Sequence, residues 1–119
     1  MLLVDTNVLL DVVEDDPLWA AWSQHQLDAW SITDDLAINP VIYSELSIGF
    51  QAIEELDRVL DQARITIEPV PRAALFLAGT VFQTYRRLGG QRTGVLPDFF
   101  IGAHAAVARW PLLTRDVRR

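Results

Sequence analysis

Residues 1–7 read Met1-Leu2-Leu3-Val4-Asp5-Thr6-Asn7. Three aliphatic residues in a row, closed by an acid, are the pattern of a short strand buried on both faces. A half-exposed strand would alternate apolar and polar positions instead. From Thr6 to Val13 the periodicity turns helical, and Asp5 or Thr6 can cap the first turn. The same strand-then-helix pattern recurs outward along the chain. Asp16-Pro17 opens a helix that runs to about Trp30, with an acid at the cap and proline in the first turn. Leu36, Ala37 and Ile38 form a second strand, stopped by Asn39-Pro40. Helices follow over 40–50 and 51–63, with Gly49 between them. Ile65, Thr66 and Ile67 make a third strand. A long helix over 71–88 ends at Gly89-Gly90. Another covers 97–109, and Leu112, Leu113 and Thr114 supply a fourth strand. Strands separated by helices pair in parallel through right-handed crossovers. The expected fold class is therefore α/β: a three-layer α/β/α sandwich around a parallel sheet of four strands.

Composition narrows the chemistry. The 119 residues are 50% apolar, enough for one packed core, and carry a net charge of -6. That balance argues against nucleic-acid binding through a broad basic stripe. All ten basic residues are arginine and cysteine is absent. Disulfides, thiolate metal sites, a Cys nucleophile and any reaction needing lysine are thereby excluded. No stretch reaches the roughly 18–20 apolar residues of a membrane span, and the N-terminus lacks the pattern of a signal peptide. A cytoplasmic protein away from the membrane is expected.

In an open parallel sheet, ligands bind beyond the carboxyl ends of the strands. Asp5 closes the first strand and Asp116 lies just past the fourth. Asp98 falls in the first turn of the helix that follows the glycine-bearing loop 89–96. Glu45 lies about one turn into the helix after the second strand. These four acids can converge on one edge of the sheet. Their mutual repulsion would raise their pKa values, with no lysine to relieve it. A bound cation would relieve it, and an all-oxygen donor set favours Mg²⁺ or Mn²⁺ over zinc. The expectation is that Asp5, Asp98 and Asp116 lie close enough to share an ion. Taken singly, Asp5 reads equally well as a helix cap, Glu45 as a solvated helix residue and Asp116 as a turn acid. Together they favour a site.

Four segments in order, MLLVDTN at the start, SEL around Glu45, LPDFFIGAHA from Leu96 and LLTRD near the end, resemble the PIN-domain ribonucleases. The resemblance is closest to the VapC toxins of bacterial toxin–antitoxin pairs and spans nearly the whole chain, implying one PIN domain over 1–119. It implies that Asp5, Glu45, Asp98 and Asp116 are the acidic catalytic quartet of a metal-dependent endoribonuclease. Asp5 and Asp98 would hold Mg²⁺ directly, with Mn²⁺ able to substitute. Asp116 would complete the ligand set, and Glu45 would position a second ion or the attacking water. Thr6, Asn7 and Thr114 would orient the carboxylates through hydrogen bonds. The family usually continues into a fifth strand after TRD, whereas this sequence stops at Arg119. Either the sheet ends one strand early or the chain is a piece of a longer one. The resemblance further implies an RNA substrate, a toxin homodimer and a VapB-type antitoxin whose tail covers the acidic pocket, often with an arginine. Operator DNA would be reached only through that antitoxin.

Other features admit two readings. Arg86, Arg87 and Arg92 around the Gly89-Gly90 loop, and Arg115, are either solvated charges or a phosphate clamp beside the acids. Trp19, Trp22 and Trp30, with Leu27, are either core or a groove for a partner. His104 lies six residues past Asp98, about 600° further round a helix. It therefore points away from Asp98 and is expected to be a packing histidine. Phe99, Phe100, Gly102, Ala103, Ala105 and Ala106 are expected in the core. Asp11 is grouped with the exposed helix acids. A receiver domain and a haloacid-dehalogenase phosphatase both need a lysine this chain lacks. The remaining alternative is a catalytically inactive PIN scaffold that only binds a protein.

Overall fold

The structure is a computed structural model that describes residues 1–116. Ten elements follow one another: β1 (Leu2–Val4), α1 (Thr6–Val13), α2 (Ala20–Thr33), β2 (Leu36–Ile38), α3 (Pro40–Ser47), α4 (Ile53–Gln62), β3 (Ile65–Ile67), α5 (Arg72–Arg87), α6 (Leu96–Ala108) and β4 (Leu112–Leu113). The strands form one sheet in the order β3-β2-β1-β4, and every pairing is parallel. Six helices flank it, giving the expected three-layer sandwich. Among the described residues the sheet has four strands.

The aliphatic run at the N-terminus sits at the centre. Leu3 is paired with Ala37 on one side and Leu112 on the other. Leu2, Leu3 and Val4 are fully buried, as are Ala37 and Ile38 of β2. Both faces of these strands meet helices, so no polar position could be tolerated and none occurs. β3 lies at the edge, and there Thr66 and Ile67 are exposed.

The strand order sets the location of the site. From β1 the chain steps to β2 and then to β3 in one direction. After α5 and α6 it returns across the sheet to place β4 on the other side of β1. The order thus reverses between β1 and β4, and a crevice opens beyond their carboxyl ends. Asp5 and Asp116 lie at those ends.

Two local expectations shift. The second helix begins at Ala20 rather than Pro17, because the Asp16 carboxylate first accepts the N–H groups of Leu18 and Trp19, both at 2.9 Å. That arrangement holds 17–19 as a turn. Within α6 only Ala103 and Ala105 of the expected core residues are buried. Phe99, Phe100 and Gly102 are half-buried, and Ala106 is exposed. α6 packs on α5 through Ala103 against Ala74 and Ala78, and its remaining face borders an open cleft.

Candidate functional site

Thr114, immediately after β4, ties the strand ends together. Its hydroxyl donates to Asp5 Oδ2 at 2.8 Å and accepts the Asp116 N–H at 3.0 Å. Asn7 Nδ2 reaches the same hydroxyl oxygen at 3.4 Å. The other Asp5 oxygen accepts the Thr6 N–H at 2.7 Å. Asp5 is fully buried, so these donors offset what would otherwise be a prohibitive desolvation cost. The Thr6 hydroxyl donates to Glu45 Oε1. The sequence DTN at 5–7 therefore aims one carboxylate at β4 and steadies another on α3.

α3 is placed by Asn39, whose side-chain oxygen accepts the Ile42 N–H at 2.9 Å while Pro40 takes the first helical position. Glu45 is carried to the site from there. Asp98 arrives on the first turn of α6, where the helix dipole favours negative charge. Even so, its carboxyl is pushed above the ordinary range: burial contributes most, Glu45 and Asp116 repel the charge, and Arg92 partly counteracts them. Glu45, Asp98 and Asp116 thus share one electrostatic neighbourhood. Asp98 and Asp116 also line a common cleft of about 380 Å³ with Arg92, Tyr85 and Phe99. The donor set is all oxygen and suits a hard cation. Among the described residues, however, no three acidic or histidine side chains already stand close enough together to ligate one.

A family model described as PIN domain matches residues 2–118. The chain belongs to the PIN domain family. Proteins of this family are generally nucleases. Solved structures share the fold. A toxin–antitoxin complex from Klebsiella pneumoniae is 23% identical, with a TM-score of 0.73, covering 99% of this chain and 88% of that one. VapBC2 from Rickettsia felis, bound to a DNA fragment from its promoter, is 19% identical with a TM-score of 0.75 and coverages of 98% and 89%. VapBC-1 from nontypeable Haemophilus influenzae is 20% identical with a TM-score of 0.69 and coverages of 98% and 87%. No curated protein matches the chain.

The arginines of this PIN domain divide. Arg92 is exposed at the cleft beside Asp98. Arg86 lines a shallow groove on another flank of α5, and Arg87 is exposed. Arg115 is engaged elsewhere: its Nε donates to Asp11 Oδ2 at 2.8 Å, and its terminal nitrogen to Asp11 Oδ1 at 3.1 Å. Its guanidinium also lies 5.3 Å from the centre of the Trp19 ring. Asp11 is only 3% exposed and also accepts the Ser23 hydroxyl at 2.9 Å, which corrects its expected place on a solvated face. Helical spacing from Asp5 conceals this role, because the partner arrives from residue 115. The Arg115 N–H reaches Asn7 Oδ1 at 3.5 Å, so the segment carrying Asp116 is anchored to α1 at two points.

The tryptophans are neither all core nor one groove. Leu27 is buried and Trp30 packs partly against the core. Trp19 and Trp22 are each 37% exposed and meet edge-to-face with centroids 5.8 Å apart. Asn39 and His104, neither expected at the site, form a buried pair: Asn39 Nδ2 lies 3.1 Å from His104 Nδ1. Since Asn39 Oδ1 is used by the α3 cap, its amide nitrogen donates and the imidazole accepts. Trp110 packs on the ring with centroids 5.0 Å apart.

Two outcomes follow. Arg115→Met leaves Asp11 buried without its cation and should cost about 1–3 kcal/mol in urea unfolding, most of it regained by adding Asp11→Leu. Burial holds the His104 pKa below its ordinary 6.5, with Glu68 offsetting part of that effect. The unfolded chain therefore binds this proton first, so stability is full above pH 6.5 and declines as pH falls below it. The unfolding midpoint of the native chain should drop between pH 7.5 and 5.5, by up to about 1.4 kcal/mol per pH unit from this group, and His104→Gln should flatten that slope.

Proposed function

We propose that this PIN domain is a VapC-type toxin: a Mg²⁺-dependent endoribonuclease that cleaves RNA phosphodiester bonds and is neutralised by a cognate antitoxin. The observation that carries the reading is the convergence of acids at one edge of the sheet: Asp98 and Asp116 line one cleft, and Thr114 links Asp5 to the Asp116 backbone. Burial, and then the charges of Glu45 and Asp116, make ionisation of Asp98 less favourable, and this costs stability. A hard cation offsets that cost, and a phosphodiester is the substrate such a cation serves. Asp5, Asp98 and Asp116 would hold the ion, closing on it as it binds because they do not already stand at ligating distance, with Mn²⁺ able to replace Mg²⁺. Bound there, it supplies Lewis-acid charge to the phosphate and its leaving oxygen.

The protein's own groups do the positioning. Thr114 and the Thr6 N–H fix Asp5. Glu45, steadied by the Thr6 hydroxyl, orients the water whose oxygen attacks phosphorus in line as the opposite P–O bond breaks. Arg92 faces the phosphate at the cleft mouth.

The partners follow from the same reading. The similar structures are of toxin–antitoxin complexes, one of them with promoter DNA. An antitoxin tail that offers an arginine to the carboxylates would block the site, and the half-exposed Trp19–Trp22 pair gives its apolar side chains a surface. DNA would be met only through that antitoxin. No helix of the described residues is long and apolar enough to cross a membrane, and a cytoplasmic location fits an RNA substrate. α5 supports a homodimer: Phe76 is 80% exposed, with Leu75 half-exposed beside it, on the flank away from the cleft.

Asp98→Asn should abolish RNA cleavage and weaken Mn²⁺ binding in calorimetry while leaving Tm at pH 7 unchanged or higher, because the repulsion is gone. A native chain that neither binds Mn²⁺ nor cuts RNA would be a scaffold that only binds proteins. Phe76→Glu should shift the native chain from dimer to monomer in analytical ultracentrifugation.

A further inference from the structure

The cleft beside the carboxylates is larger than an ion requires. It runs on between α5 and α6, with Val81, Tyr85, Phe99 and Gly102 as walls and Arg92, Asp98 and Asp116 at its head. We propose that this cleft is a nucleobase subsite, which takes one unstacked base of the RNA strand whose phosphate lies at Asp98 and Asp116. The proposal rests on the nuclease reading and specifies how the substrate is held.

Three observations carry it. The first is continuity. Asp98 and Gly102 are four residues apart, so they share one face of α6, about 6 Å apart along the axis. A phosphate held at Asp98 leaves its ribose and base directed along that face into the apolar part of the cleft.

The second is space that packing does not demand. A Cβ built at Gly102 meets nothing within 4 Å, although glycine inside a helix is less stable there than alanine. By contrast, a Cβ at Gly90 would run into the Tyr85 ring and force it to shift. Gly90 thus leaves room for the Tyr85 ring, which meets Phe99 edge-to-face with centroids 5.8 Å apart.

The third is polarity. The Arg92 N–H donates to the Tyr85 hydroxyl oxygen at 2.9 Å. The hydroxyl proton can then be given to a ring nitrogen or carbonyl oxygen of a base. Arg92, at the head of the cleft beside Asp98, attracts a phosphate. An aromatic wall, one donor and a cation at the mouth suit a splayed base better than an aliphatic side chain.

The test uses an oligoribonucleotide cut by the native chain, and a series in which each nucleotide in turn is made abasic. At one position beside the cut, loss of the base should lower kcat/KM about tenfold or more. Gly102→Leu, which fills the cleft from α6, should show the same loss on intact RNA and be indifferent to the abasic site at that position. Its Mn²⁺ binding and Tm should match the native chain. Val81→Trp, at an exposed position on the opposite wall, should do likewise, so the result does not hang on one variant folding.

If both variants cleave intact RNA as the native chain does, or if no abasic position matters, the subsite is overturned and the nuclease reading stands. If the native chain neither binds Mn²⁺ nor cleaves RNA, both fall together. Loss of antitoxin binding in the variants with cleavage unchanged would assign the cleft to a peptide side chain and overturn the proposal.

Discussion

A single hydroxyl governs how this site is assembled. β1 and β4 are parallel neighbours that end side by side, and each delivers an aspartate to the same edge. Thr114 joins the two ends, donating to the Asp5 carboxylate and accepting from the Asp116 backbone N–H. At the fully buried Asp5 carboxylate, the Thr6 N–H and the Thr114 hydroxyl stand where water would otherwise donate. The rest of the site is arranged around that fixed carboxylate.

Around it the fold accepts a local cost. α6 brings Asp98 in at its first turn, and there burial and two neighbouring acids outweigh the charge of Arg92. A core optimised for stability alone would not gather three carboxylates at one crevice. The surrounding scaffold is correspondingly firm. The central strands are fully buried, α3 is capped by a buried asparagine, and the segment carrying Asp116 is tied to α1 through Arg115.

The Arg115–Asp11 pair has a second consequence. It joins the end of the described chain to the start of α2 through Ser23 and Trp19. The loop before α2, the exposed tryptophan pair and the carboxylate edge therefore form one connected surface. A partner that gripped Trp19 and Trp22 would press on the anchor of Asp116 as well. Binding on α2 and events at the acidic crevice are mechanically adjacent.

Much of this was legible in the residues alone. Continuous aliphatic runs can only be strands covered on both faces, and the helices between them force parallel pairing, so fold class and most element bounds follow from local patterns. The acids at strand ends and first turns are likewise readable, because strand ends in such a sheet are where ligands bind. Asp11, Asn39 and His104 could not be read in this way. Each has a partner 65 or more positions away, although the Asn39 cap on Ile42 is local. The cleft between α5 and α6 is also a tertiary property. Gly102 and Tyr85 border it where α5 and α6, packed through Ala74, Ala78 and Ala103, leave a cleft, and no local periodicity encodes the space left between them. The sequence alone determined the layers and which carboxylates were available. Only long-range packing decided which charges are paired, which are crowded together, and where room remains for something else to bind.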